Sequence, residues 1–178
     1  MTAEGHTAPS SEQRALAAVQ ATGLQHRVVR HGRVSSLAEA ARVRGIEPRQ
    51  LLKTIVVRRA DDDYLFVLVP GDRQISWPKL RSLLGVSRLS MPDAATARDV
   101  TGYERGTITP FGSTRPWPVI ADVRVPAGEV SLGAGGHGVG IVTDGADLVA
   151  ALGASVADVT EPAGDDEASS GPRPSPGT

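Results

Sequence analysis

A glycine- and proline-rich stretch in the second half of the chain constrains the fold most strongly. Residues 101–112 read TGYERGTITPFG and contain Gly102, Gly106, Gly112 and Pro110. Glycine adopts backbone angles that other residues resist, and proline fixes one backbone angle and lacks an N–H donor. The stretch therefore predicts a rigid main-chain loop that can bring bare N–H groups against a phosphate or a carbonyl oxygen. For an arbitrary stretch of this composition, a plain surface turn is the commoner explanation.

Composition excludes several classes of protein. The 178 residues suffice for one domain with a sizeable core, and the absence of cysteine excludes disulfides, thiol catalysis and cysteine-based zinc sites. The first ten residues, MTAEGHTAPS, lack the basic start and apolar core of a secretory signal, and no apolar run approaches the length of a membrane span. We therefore expect a cytoplasmic protein without a membrane partner.

Charge is distributed unevenly along the chain. The net charge is −1, but residues 14–160 contain 18 Arg and Lys against 14 Asp and Glu, a balance of +4. A mildly basic core fits contact with a few phosphates and does not suggest a long nucleic-acid groove or a DNA partner. A solvated surface of mixed charge explains the same balance.

The pattern of apolar residues and capping signals predicts interleaved helices and strands. Ser10 with Gln13 and Ser36 with Glu39 have capping-box spacing, and Asp144 can cap a further helix. Helices are predicted after Ser10 and over 37–44, 77–84, 92–100 and 145–152. Strands are predicted over 25–30, 55–57, 64–69, 86–89, 116–125, 130–132, 139–142 and 156–159, with prolines placing the start of 116–125 at a sheet edge.

These elements indicate a single α/β (α+β) domain over residues 11–161, with a mixed, mainly antiparallel sheet surrounded by short helices. Residues 1–10 are predicted to be a flexible N-terminal tail. Residues 162–178 are rich in Pro, Gly and Ser and are predicted to be a disordered C-terminal tail.

Three motifs in a fixed order carry a family resemblance. Lys53-Thr54 precedes an apolar strand, the 101–112 loop contains a G-x-x-x-P pattern, and GAGGHG follows at 133–138. From about residue 16 to residue 161 the chain resembles the YbaK/ProX family of aminoacyl-tRNA deacylases, relatives of the editing domain inserted in bacterial proline–tRNA ligases. The order and spacing of the motifs are more specific for the fold than for the substrate.

The resemblance implies two catalytic residues, Lys53 and Gly106. Lys53 would help to bind the acceptor end of the tRNA near the scissile ester, with Thr54 beside it. Without the family, a lysine whose stem covers the core and whose head lies in water is the commoner case. Gly106 would leave room for backbone N–H groups to approach the ester, and pre-aimed donors of this kind stabilise the negative charge that ester hydrolysis builds on oxygen.

The remaining candidate residues are assigned to substrate binding. In the G-x-x-x-P loop they are Thr107, Ile108, Thr109 and Pro110; in the glycine-rich segment they are Gly133, Ala134, Gly135 and His137; His31 is placed at the rim of the pocket. Some family members carry serine at the position that aligns with Gly133, and this departure bears on which amino acid is removed. A partly exposed loop histidine is the simpler explanation for His31 and an equal one for His137.

No cofactor is expected. The four histidines have no metal-ligand spacing, no strand–loop–helix context supports a dinucleotide site, and no G-x-S-x-G nucleophile motif occurs. Tyr103 and Phe111 flank the loop and are expected to anchor it to the core rather than to stack a base.

The sequence therefore predicts a trans-editing hydrolase that deacylates mischarged tRNA, with Cys, Ala or a similar small amino acid on tRNA(Pro) as the leading substrates. The expected partner is the aminoacylated 3′ end of a tRNA, with a tRNA synthetase as a further candidate, and a monomer is favoured. The alternative is a non-catalytic module of the same fold that binds tRNA ends or an aminoacylated ligand.

Overall fold

A computed structural model describes residues 7–164, which form an α/β arrangement of short helices around small sheets. The helices are α1 (Ser11–Ala21), α2 (Leu37–Arg44), α3 (Trp77–Leu84), α4 (Ala94–Thr101) and α5 (Gly145–Leu152). The strands are β1 (His26–Arg30), β2 (Leu52–Ala60), β3 (Asp63–Pro70), β4 (Arg73–Ile75), β5 (Val119–Asp122), β6 (Glu129–Gly133), β7 (Val139–Asp144), β8 (Ser155–Ala157) and β9 (Thr160–Pro162). This architecture confirms the predicted fold class.

The strands form three sheets with both parallel and antiparallel pairs. The sheet orders are β1-β7-β6, β2-β3-β5-β8 and β4-β9. Strands β2 and β3 are an antiparallel hairpin, whereas β5 runs parallel to both β3 and β8. A single parallel bridge between Leu51 and Ser131 links the first sheet to the second. It brings β6 alongside the free edge of β2, where the candidate site lies.

Local sequence signals set the ends of several helices. Ser10 accepts a hydrogen bond from the N–H of Gln13 and the Gln13 side chain accepts one from the N–H of Ser10, which completes the predicted capping box of α1. Asp144 caps α5 through the N–H of Asp147. Helix α2 ends at Gly45, whose φ of 73° is left-handed and therefore favours glycine.

Strand β3 lies at the centre of the core. Every residue from Tyr64 to Pro70 is buried, as expected for a strand that is covered on both faces. Phe66 and Leu68 pack into one apolar cluster together with α1 and the β6–β7 hairpin, while Leu65 and Val67 pack into a second cluster with α3. Strand β2 contributes to both clusters, with Leu52 and Val56 in the first and Val57 in the second.

Three predictions about strands are wrong. Residues 86–89 form no strand; among the described residues, only Ser90 nearby makes an isolated bridge, to Arg58. Strand β5 occupies only part of 116–125 and lies between β3 and β8 rather than at an edge, because the prolines precede it. The segment predicted as one final strand over 156–159 is divided between β8 and β9. Most of the two predicted tails, residues 1–6 and 165–178, lies outside the described residues.

Candidate functional site

A cavity of about 680 Å³ opens beside the free edge of β2. Helix α2 and the loop before it form one wall, β2 forms the floor, and the loop around Gly106 forms the opposite wall. The lining residues are Val34, Ser35, Ser36, Leu37, Ala40, Arg44, Leu51, Leu52, Lys53, Thr54, Ile55, Val56, Met91, Pro92, Ala97, Arg105, Gly106, Ile108 and Gly133. A largely apolar cavity with a few polar groups is typical of a ligand site.

All of the charge in this cavity is positive. Arg44, Lys53 and Arg105 line it, and none of the lining residues, all of which belong to the described part of the chain, is Asp or Glu. Three cations around one concave surface attract an anionic ligand, and the surrounding apolar groups weaken solvent screening of that attraction.

Lys53 lies on the edge strand and is half-buried. Its backbone pairs with Val69 of β3, and its Nζ donates a hydrogen bond of 2.6 Å to the carbonyl oxygen of Arg73 in β4. One bond to a neutral carbonyl leaves the ammonium with donors to spare and its charge unneutralised. Lys53 is therefore both positioned by the fold and available to a ligand.

Arg44 is a second cation of the site, and the sequence analysis did not select it. It ends α2 on the buried face that Ala40 and Ala41 share, and only 9% of the residue is exposed. Its Nη1 donates to the hydroxyl of Ser131 at 3.0 Å. No salt bridge to Arg44 occurs among residues 7–164, and burial lowers the pKa of its guanidinium. One sequence feature could have identified Arg44, namely its position on the apolar side of a short amphipathic helix.

His31 holds Arg44 rather than lining the cavity. Its Nδ1 lies 2.8 Å from the carbonyl oxygen of Gly32, which can only accept a hydrogen bond, so Nδ1 is the donor. The Nε of Arg44 donates to the Nε2 of His31 at 3.4 Å. The guanidinium also lies over Gly140 of β7, where an added Cβ would be 2.5 Å from Nη1. His31 thus contacts Arg44, which lines the cavity, without lining the cavity itself.

The loop around Gly106 presents backbone to the cavity. Gly106 has a φ of 88°, a left-handed conformation that favours glycine, and both Gly106 and Ile108 line the cavity. Within residues 7–164 the N–H groups of these two residues donate no hydrogen bond, whereas the N–H of Thr107 donates to Glu104 at 2.9 Å. Two backbone donors are therefore left for a ligand.

Buried side chains support this loop from beneath. Tyr103, Thr107 and Thr109 are buried, and the Tyr103 hydroxyl donates to the carbonyl oxygen of Phe111. Tyr103 and Phe111 thus anchor the loop to the core, as the sequence predicted. Burial raises the pKa of the Tyr103 hydroxyl, which favours its neutral, donating form.

The glycine-rich segment divides into a cavity part and a supporting part. Gly133 lines the cavity, and a Cβ there would meet its nearest atom, the carbonyl oxygen of Ile108, at 3.7 Å. Ala134 is buried in the core, and the carbonyl oxygen of Gly135 accepts a hydrogen bond of 2.6 Å from Ser11 of α1. Exposed His137 lies 3.8 Å from Glu104, beside Gly106.

The structure therefore brings together five of the twelve residues selected from the sequence. Lys53, Thr54, Gly106, Ile108 and Gly133 line the cavity. The Oγ1 of Thr54 is buried and has no hydrogen-bond partner within the described chain, so the fold leaves an unsatisfied polar group in a residue that lines the cavity. The cavity lining does not include the other seven, which are Thr107, Thr109, Pro110, Ala134, Gly135, His31 and His137.

Between residues 7 and 164, no three His, Asp or Glu side chains are grouped so that they could hold a metal ion. None of the helices in this range has the length and apolar character needed to cross a membrane.

Comparisons with known proteins agree on one kind of domain. A family model described as an aminoacyl-tRNA editing domain matches residues 31–151. The proline–tRNA ligase of Desulforamulus reducens is 35% identical over 89 residues, which are 50% of this chain and 15% of the ligase. That of Desulfotalea psychrophila is 40% identical over 80 residues, 45% of this chain and 14% of the ligase. The chain thus spans about a seventh of the length of these relatives.

Solved structures share the fold over nearly their whole length. A crystal structure of a proposed trans-editing enzyme for prolyl tRNA synthetase has a TM-score of 0.77 at 25% identity, covering 87% of this chain and 99% of that protein. A crystal structure of a hypothetical protein has a TM-score of 0.76, also at 25% identity, covering 83% of this chain and 99% of its own.

Proposed function

The chain belongs to the family of aminoacyl-tRNA editing domains, and from that premise we propose that it is a trans-editing hydrolase that deacylates mischarged tRNA. The leading substrates are Cys, Ala or a similar small amino acid esterified to tRNA(Pro). The relatives that share the domain are proline–tRNA ligases, and the solved relative is a proposed trans-editing enzyme for the corresponding synthetase. These similarities support tRNA(Pro) as the first tRNA to test and a tRNA synthetase as a candidate partner.

The observation that carries the proposal is the cavity whose only charged lining groups are cations and whose wall is bare backbone. The 3′ end of a tRNA brings phosphates and a polarised ester carbonyl, which need cations and N–H donors respectively. Lys53 supplies a compact ammonium with rotatable donors, and Gly106 and Ile108 supply N–H groups. Arg44 and Arg105 add positive charge to the same cavity.

In the proposed reaction the oxygen of a water molecule attacks the ester carbon. The carbonyl oxygen gains negative charge, which the loop N–H groups and Lys53 stabilise. The bond between the carbon and the ribose oxygen then breaks, the ribose oxygen takes a proton, and the free amino acid leaves. An aminoacyl ester is already activated, so orientation and oxyanion stabilisation supply much of the acceleration.

Gly133 bears on which amino acid the cavity accepts. Gly133 leaves part of the cavity wall without a side chain, and the nearest atoms leave ordinary contact distance for one added carbon. Apolar pockets discriminate weakly between residues that differ by one methylene. The Thr54 hydroxyl is buried and unpartnered, and a rotation of this side chain about its Cα–Cβ bond would present the hydroxyl to the cavity as a second means of selection.

One observation favours the second candidate function, a binding module without hydrolysis. None of the cavity-lining residues, all within the described chain, is a histidine or a carboxylate that could take a proton from water. His137, whose ring lies beside Gly106, is one group of that kind near the cavity. The cavity of a pure binding module would hold the tRNA end and leave the ester intact.

Release of labelled amino acid from a panel of mischarged tRNAs tests the proposal. Cys-, Ala- and Ser-tRNA(Pro) form the panel, with Pro-tRNA(Pro) as the correctly charged control. We expect fast release from at least one mischarged species and a loss of about 100-fold in Lys53→Ala, the scale for removing one oxyanion donor.

The chain offers a matched control in Lys79, the other of its two lysines, which pairs with Asp158 away from the cavity. Lys79→Ala is expected to keep the wild-type rate. Release at the spontaneous rate across the panel, with tRNA binding intact, would contradict the hydrolase and support the binding module.

A further inference from the structure

A second depression, the arginine groove, continues from the cavity along β2. It has a volume of about 420 Å³ and is lined by Arg58, Arg59, Ala60, Asp61, Arg81, Ser87, Arg88, Leu89 and Ser90. Along β2, residues 52–56 line the cavity and residues 58–60 line the groove. In a second segment, residues 87–90 line the groove and residues 91 and 92 line the cavity. The two depressions are therefore consecutive along the same strand.

The groove has an excess of positive charge that the fold does not neutralise. Four arginines line it against the single carboxylate of Asp61, which pairs with Arg58. Arg59 pairs with Asp63 at 2.9 Å. Arg81 and Arg88 make no salt bridge to any residue between 7 and 164, although Arg88 is exposed and Arg81 is partly exposed on α3. Two guanidinium groups thus remain free for an anionic partner.

We infer that the arginine groove binds the ribose-phosphate backbone of the nucleic acid strand whose 3′ end enters the cavity; this inference rests on the proposed function. Guanidinium groups suit phosphate because their donors match its oxygens in pairs. Lys53 and Arg58 are five positions apart along β2, a distance of about 17 Å at roughly 3.3 Å per residue, which a few nucleotides span.

The groove is built to contact the backbone and not to read bases. Its lining, which lies wholly within the described residues, includes no aromatic side chain on which a base could stack. Contacts of arginine to phosphates position a strand without reading its sequence. The groove therefore raises affinity for any tRNA of suitable shape, while the cavity selects the aminoacyl group.

Kinetics on two substrates test the inference. The double variant Arg81→Gln/Arg88→Gln is compared with wild type on mischarged tRNA(Pro) and on the matching 3′-aminoacyl-adenosine, which is too short to reach the groove. We expect kcat/KM to fall about tenfold or more on the tRNA and to stay unchanged on the adenosine ester. The control is Arg27→Gln, which removes an exposed arginine of β1 in the β1-β7-β6 sheet. It is matched to the single variant Arg88→Gln, and the control should keep wild-type kinetics on both substrates.

Binding of an uncharged tRNA(Pro) transcript separates this inference from the proposed function. In a plot of log affinity against log salt concentration, the slope is negative, and its magnitude should be smaller by about 1.4 in the double variant. Each phosphate contact to a single strand contributes roughly 0.7 to that magnitude, and the variant removes two contacts. This readout needs no hydrolysis, so an inactive wild type would contradict the proposed function alone. Unchanged tRNA affinity and salt dependence in the double variant would overturn the groove as a nucleic-acid site and leave it to an acidic protein surface.

Discussion

Asp122 and Arg44 are two buried charges that the fold treats differently. Asp122 is fully buried at the end of β5, where its carboxylate accepts hydrogen bonds from Thr160 Oγ1 at 2.8 Å and from the N–H of Val159 at 3.3 Å. Arg124 adds a salt bridge at 3.1 Å. Arg44 is nearly as buried, but it faces a cavity and has no carboxylate partner among the described residues. The protein satisfies the first charge, whereas the second has no counter-ion among the described residues.

The difference indicates where stability and function are located. A charge that is desolvated without a counter-ion costs folding free energy, so it persists only where something else offsets the cost. At Asp122 the surrounding donors stabilise the connection of β5 to β9. At the cavity, Arg44, Lys53 and the unpartnered hydroxyl of Thr54 lie together around empty space. Polar groups that a fold leaves unsatisfied in one cleft are candidates for substrate contacts.

The largest expected effect is on stability, at the satisfied charge. Asp122→Ala removes the common acceptor of Arg124, Val159 and Thr160 and should lower the free energy of unfolding by about 3 kcal/mol, because the buried donors of Val159 and Thr160 lose their acceptor. Chemical denaturation measures the loss. Asp158→Ala, which removes an exposed partner of the same arginine, is the control and should cost much less. Equal losses of unfolding free energy in the two variants would contradict the claim that Asp122 stabilises the fold more than an exposed carboxylate does.

The next effect separates a glycine of the cavity from a glycine of the scaffold. Gly106 and Gly85 both have positive φ, at 88° and 66°, and both have room for a Cβ. Alanine at either position should cost about 1 kcal/mol of stability because of the left-handed backbone. Only Gly106→Ala should also slow deacylation, by about tenfold, because its methyl group obstructs the approach to the backbone donors. Equal deacylation rates per folded molecule in the two variants would argue against the loop as an ester-binding wall.

A smaller effect compares two threonines that differ in their hydrogen bonds. The Thr101 hydroxyl donates to the carbonyl oxygen of Ala97 at 2.7 Å and accepts from the N–H of Tyr103 at 3.1 Å, whereas the buried Thr54 hydroxyl has no partner in the described chain. Thr101→Val should lose about 1–2 kcal/mol of stability. Thr54→Val should keep or gain stability and lose a few-fold in kcat/KM. Chemical denaturation and deacylation assays on both variants check this prediction. A stability loss in Thr54→Val with unchanged kcat/KM would contradict it.

Sequence signals that act locally predicted the fold well. The capping residues Ser10, Ser36 and Asp144 each interact with an N–H three residues along, so the helix starts could be predicted without tertiary information. The failure at 86–89 has the opposite cause. Residues 86–89 form no strand and only the adjacent Ser90 bridges to Arg58. Whether a short apolar stretch pairs with a distant strand cannot be deduced from local pattern.

Site residues that belong to a local sequence motif could be predicted, whereas residues that depend on tertiary packing could not. Lys53 and Gly106 stand in recognisable motifs, and both line the cavity. Arg44 could not be selected in the same way, because its importance depends on Ser131 and Gly140, which lie about ninety residues away in sequence. His31 was selected for the rim of the pocket, yet its ring nitrogen contacts Arg44 from behind.

Paired measurements on Arg44→Met test the central claim most directly. Methionine fills a similar volume without a charge, and replacing a buried ion with an apolar side chain is often neutral or stabilising. If Arg44 serves the substrate, the variant should unfold at the wild-type temperature or above it, while kcat/KM on the best mischarged tRNA falls about tenfold. A marked loss of stability with an unchanged deacylation rate per folded molecule would contradict the account and make Arg44 a residue of the fold, as Asp122 is.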